Sequence, residues 1–128
     1  MEELFVGLSL NQVNILIASI IADGEITKTY PGSRRKNNSY REHNSLAQLG
    51  YCEWKAKMLP DLLYFRTSKD YLVSKSNSLF TRLYPHFYNE EGQKQVPKEL
   101  LAHCVLPEFI AVLYLDDGSL CINKRINS

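Results

Sequence analysis

The chain has 128 residues, of which 45% are hydrophobic and 23% charged, with 15 basic against 14 acidic side chains. That length suits one compact domain with a real core, and the apolar content excludes a disordered tail. The net charge of +1 excludes a uniformly basic nucleic-acid glue, so any polyanion has to be met by a local basic patch.

Asn11 to Asp23 is the first strongly apolar segment and predicts a helix capped by Asn11 and stopped by Gly24. It is apolar most of the way round, which implies burial between other elements; its β-branched residues leave a buried strand open, although the length favours helix. Gly24 to Tyr30 reads as a strand, Pro31 to Asn38 as a turn-rich connection, and Ser39 to Asn44 as the partner strand. Ser45 to Met58 has near-helical spacing, weakened by Gly50 and ended by Pro60. Leu62 to Thr67 and Tyr71 to Ser76 flank Ser68-Lys69-Asp70 as a second hairpin. Asn77 then caps a helix through about Phe87, in which Pro85 is tolerable only near the end. Asn89 to Lys98 is polar and loop-like, a short helix comes next at Glu99 to Cys104, and Pro107 opens another apolar helix stopped by Gly118. The fold class expected is α+β.

No apolar run reaches the roughly 18 residues of a membrane span, and the acidic start Met1-Glu2-Glu3 differs from a basic secretory leader. Three cysteines without a CxxC spacing fit a reducing compartment and no zinc site. The expectation is an intracellular protein of the cytoplasm or an organelle matrix, with no membrane partner.

Two segments echo each other. Leu16 to Gly24 and Ile110 to Gly118 are both apolar and both end in Asp-Gly. A helix C-terminus carries about half a negative charge, so a carboxylate there is disfavoured by a few tenths to about 1 kcal/mol unless a cation compensates. Asp-Gly is also a common turn after a core helix, but the same breach in two matched helices points to a functional site. Side by side, such helices would bring Asp23 and Asp117 to one edge. Hard oxygen ligands at that edge suit Mg²⁺ or Mn²⁺ and metal-assisted phosphodiester hydrolysis.

Ala22-Asp23-Gly24 and Leu113-Tyr114-Leu115-Asp116-Asp117-Gly118 resemble the paired motifs of the LAGLIDADG homing endonucleases and the related intron maturases. Lys94-Gln95-Val96-Pro97 occupies the place of the family's lysine step before the second motif helix. The resemblance implies an αββαββα half with an antiparallel β-saddle over residues 1–104, then a second motif helix and the start of a strand over 105–128. It implies Asp23 and Asp117 as metal-binding catalytic acids and Lys94 as the basic residue near the scissile phosphate, with Asp116 secondary. Eleven residues come after Asp117, too few for a second half, so the expectation is an N-terminal fragment, a split enzyme completed by another polypeptide, or a degenerate descendant; self-association would cover the open helix face, and cleavage by this chain alone is not expected.

From Thr27 to Arg41 the chain carries Lys28, Arg34, Arg35, Lys36 and Arg41 and no acid. On a hairpin this set reaches along a phosphate backbone, with arginines able to read guanine edges; Asn37, Asn38 and Ser39 would add donors. Arg66, Lys69 and Lys75 on the second hairpin are weaker candidates, because edge lysines also prevent aggregation. His43, His86 and His103 show no zinc spacing with cysteine. No Walker loop, GxGxxG or serine-triad pattern is present. The function these features imply is a site-specific double-strand DNA endonuclease of the homing type. The alternative is a non-cleaving module of the same fold that binds structured intron RNA or DNA.

Overall fold

A computed structural model describes residues 2–43, 49–66 and 70–115. Helix α1 spans Leu10–Ile21, and every residue from Val13 to Ile20 is buried. Its cap differs from the expectation. The Ser9 side chain accepts from the Gln12 amide while the Gln12 side chain accepts from the Ser9 amide, a capping box. Asn11 lies inside the first turn, and its side-chain amide donates to Glu108 instead.

Four strands come next in two hairpins: β1 (Glu25–Thr27), β2 (Ser39–His43), β3 (Tyr64–Phe65) and β4 (Tyr71–Val73), with α2 (Leu49–Met58) between the pairs. They form one antiparallel sheet in the order β1-β2-β4-β3. β1 and β4 are shorter than their sequence patterns, and side chains take over backbone pairing just past them. The Tyr40 amide donates to Ser74 Oγ at 2.8 Å, and the Thr29 amide to Asn38 Oδ1 at 3.3 Å. The period-two alternation sorts residues onto two faces. Ile26, Tyr40, Glu42 and Leu72 point into the core, whereas Glu25, Thr27, Arg41, His43, Tyr64 and Tyr71 lie on the other face.

Helix α3 (Ser78–Phe87) is capped by Asn77, as its sequence predicts, with Pro85 in the last turn. It lays Leu79, Phe80, Leu83 and Phe87 on the inner face, where the Phe80 ring stacks on Tyr40. The expected short helix is a 3-10 segment, Lys98–His103, since six residues behind a proline suit the tighter turn. Residues 107–115 form helix α4, whose Phe109 and Val112 join the core with α1. Asn14, fully buried in α1, ties the two: its amide donates to Leu10 O and His103 O, and its Oδ1 accepts from the Leu106 amide. Through Asn14–Leu106 and Asn11–Glu108 the N-terminal ends of α1 and α4 sit together.

Candidate active site and nucleic-acid face

The end of α1 is where the carboxylate was expected to need a cation, and a cation is there. Lys94 Nζ donates to the carbonyls of Gly24 at 2.6 Å, Ala22 at 3.0 Å and Ile21 at 3.5 Å, on either side of Asp23. An ammonium on the last carbonyls of a helix offsets its negative end. A tight turn delivers this lysine. Asn89 Oδ1 accepts from the amides of Glu91 and Gln93, Gly92 takes the left-handed conformation, and Tyr88 bridges to Lys94. The segment read from sequence as plain loop is therefore a built arm, and its Asn-x-x-Gly pattern was the available signal.

Gly24 does not stop the helix by a left-handed cap. Ala22 is the C-cap, and the Gly24 amide reaches back to the Ser19 carbonyl at 2.7 Å. Gly24 is needed because Tyr40 lies beneath it: a Cβ there would stand 2.2 Å from the Tyr40 hydroxyl. Tyr40 cannot easily move aside. Its hydroxyl donates to Glu42 Oε1 at 2.5 Å, and Lys55 Nζ donates to both Glu42 oxygens at 3.0 and 2.9 Å, with all three side chains buried. The acidic turn thus rests on a buried Tyr40–Glu42–Lys55 chain joining β2 to α2. Sequence reasoning missed it. The signal was Glu42 standing in phase with Tyr40 on the inward register of β2.

Asp23 is half-buried in the turn that Lys94 grips. Asp117, Asp116 and Lys69 lie outside the described residues. The Asp23 carboxylate is a hard oxygen donor of the kind that suits Mg²⁺, while the Ala22 and Gly24 carbonyls beside it accept from Lys94 Nζ. Among the described residues no group of three or more His, Cys, Asp or Glu side chains could hold a metal. Asp23 therefore needs a further ligand from elsewhere.

The basic set is divided in its placement. Arg34, Arg35 and Lys36 lie on the loop between β1 and β2, Arg35 and Lys36 exposed at its tip, and Lys75 is exposed just past β4. Lys28 turns over the Tyr84 ring, 5.1 Å from its centroid, next to a Tyr84–Tyr88 stack. Tyr88 in turn accepts from the Ile26 amide on the outer edge of β1, and desolvation is the main reason its pKa is raised. Arg41 lies mid-sheet on the outer face, paired with Glu25. Arg66, a weaker candidate in sequence, faces the Tyr71 ring at 4.9 Å. Asn37, Asn38 and Ser39 also have a structural part at the base of the basic loop. Asn37 Oδ1 accepts from Thr81 Oγ1, the Asn38 amide donates to that same hydroxyl at 2.8 Å, and Ser39 Oγ pairs with Thr27 Oγ1. They anchor the base of the basic loop to α3 and β1.

The sequence matches the LAGLIDADG DNA endonuclease family over residues 13–127. The chain belongs to that family. Its α+β fold agrees: a solved structure of the homing endonuclease I-WcaI bound to its DNA recognition sequence aligns with a TM-score of 0.63 at 19% identity. The alignment covers 91% of this chain and 54% of that one, so the LAGLIDADG chain described here spans about half the length of its structural relative. No curated protein matches the sequence. Among the described residues no helix is long and apolar enough to cross a membrane.

Proposed function

We propose that this chain is a site-specific double-strand DNA endonuclease of the homing type, with residues 1–104 as its αββαββα half and 105–128 as the second motif helix and the start of a further strand. The observation that carries the proposal is the α1 terminus: an acidic turn over a buried support, with an ammonium already on its carbonyls. Asp23 and Asp117 would hold a divalent cation, Mg²⁺ or Mn²⁺. When bound, that cation supplies Lewis-acid polarisation of the phosphoryl oxygen and a more acidic water. Asp23 orients the water for in-line attack. Lys94, anchored on the turn, has its positive charge beside the scissile phosphate, where negative charge grows in the transition state. The Tyr40–Glu42–Lys55 chain keeps the turn from yielding.

Duplex DNA is the partner that the family and the sheet favour. The loop arginines and lysine meet phosphates, and the outer face of the sheet meets base edges. Helix α4 leaves Ile110, Ala111, Tyr114 and Leu115 exposed along one side, with Ile110 64% and Tyr114 70% accessible. That apolar side receives a second αββαββα half, for which a second copy of this chain is the direct probe.

Nicking of supercoiled plasmid and of pooled duplexes in Mg²⁺ tests the reading. With a second half in place, from a second copy or a complementing chain, the native chain is expected to cut, and Asp23→Asn to lose about a hundredfold or more in rate with binding retained. Equal cutting by Asp23→Asn would remove this acid from the chemistry. Binding of folded intron RNA with rejection of duplex DNA would install the non-cleaving maturase in place of the nuclease.

A further inference from the structure

Arg41 differs from the other basic residues because its guanidinium is held. It stands on β2 opposite Glu25 of β1 and Val73 of β4. Its Nε donates to Glu25 Oε1 at 2.8 Å, and Nη2 donates to the same oxygen. The guanidinium carbon lies 5.7 Å from the centre of the Tyr71 ring, which Arg66 also faces. The side chain is nevertheless 45% exposed beside a concavity of about 320 Å³ on the outer face of the sheet.

These contacts fix which part of the group is offered outward. Glu25 takes the Nε–Nη2 edge, and the parallel donors of the Nη1–Nη2 edge are left for a ligand. Two parallel N–H groups at that spacing match the O6 and N7 acceptors of guanine. A long side chain normally gives up rotamer freedom on binding, and here Glu25 and Tyr71 have already restricted it. Glu25 also cancels the charge of Arg41, which weakens its pull on phosphate and leaves geometry as its main asset. Arg34, Arg35 and Lys36 on the loop have no such clamp among the described residues.

We propose that Arg41, positioned by Glu25 and Tyr71, reads one guanine in the major groove of the duplex lying across the sheet. This rests on the duplex DNA reading above, and the test separates the two. The full chain selects duplexes from a randomised pool in Ca²⁺, and each guanine of the recovered sequence is then replaced by 7-deazaguanine, which lacks the N7 acceptor. At one position the replacement weakens binding by the native chain about tenfold and leaves binding by Arg41→Ala unchanged. Arg41→Lys keeps most of the affinity and loses the preference, because a point charge cannot make the bidentate pair. Glu25→Ala lowers the guanine preference without lowering the salt dependence of binding. If specific duplexes are recovered but every 7-deazaguanine costs the native chain and Arg41→Ala equally, the guanine assignment is wrong while the DNA reading stands. If no duplex is enriched, both are overturned.

Discussion

Gly24 and Gly50 differ in what surrounds them, and that difference predicts opposite outcomes for the same substitution. A Cβ at Gly24 meets the Tyr40 hydroxyl, which Glu42 holds in place, whereas Gly50 on α2 has nothing within 4 Å. Gly24→Ala is expected to destabilise the fold by about 1–3 kcal/mol through overpacking. Gly50→Ala should stabilise it by up to about 1 kcal/mol, since alanine is the better helix former. Urea denaturation of the two variants checks the pair. Lys55 supplies a second contrast. Lys55→Met leaves the Glu42 carboxylate buried without its cation, which costs about 3–5 kcal/mol. Adding Glu42→Leu removes the stranded charge, and the double variant should recover most of that loss; an additive double variant would show that the two side chains are not coupled.

At the scale of elements, the basic loop is held at its base by Thr81 in the first turn of α3. Thr81→Val breaks both hydrogen bonds. It is expected to speed hydrogen exchange of the loop amides and to cost about 1–2 kcal/mol, with the amides of α1 unaffected. Helices α1 and α3 and the first hairpin were legible in the sequence because they arise from apolar periods and from turn residues at 31–38. Boundaries were not, because they depend on side chains substituting for backbone partners: Ser9 with Gln12 at the start of α1, and Ser74 at the end of β4. Asp23, Asp117 and Lys94 stood out in the sequence through the resemblance; of these, Asp23 and Lys94 fall among the described residues, and the Lys94 ammonium meets the carbonyls beside Asp23. The buried Glu42–Lys55 pair and the Glu25 clamp on Arg41 join residues distant in sequence, and only strand pairing and the packing of α2 on the sheet bring them together.

For the whole molecule, two of the described groups lower stability at alkaline pH. Burial raises the Cys104 thiol from its ordinary value near 9 to about 11, and burial likewise raises Tyr88. Both groups are neutral when protonated and lose the proton more readily once unfolded. The stability that Cys104 contributes is therefore complete below about pH 9 and is lost as the pH rises through about 11, and Tyr88 acts in the same direction. A fall in urea midpoint between pH 8.5 and 11, reduced in Cys104→Ala, checks the sign. The exposed side of α4 predicts association. Tyr114→Lys with Ile110→Lys should shift the chain toward monomer in sedimentation velocity, and an unchanged distribution would exclude that side as a contact between copies.

The most direct measurement concerns the notch at the end of α1 and needs neither a DNA target nor turnover. Fe²⁺ substituted for Mg²⁺ in the presence of ascorbate cuts a polypeptide next to where the ion sits. A cation held by Asp23 and Asp117 predicts backbone cuts flanking Asp23 and near Asp117 that excess Mg²⁺ suppresses and Asp23→Asn abolishes. Cuts confined to other segments, or cuts beside Asp23 that persist in Asp23→Asn, would contradict it.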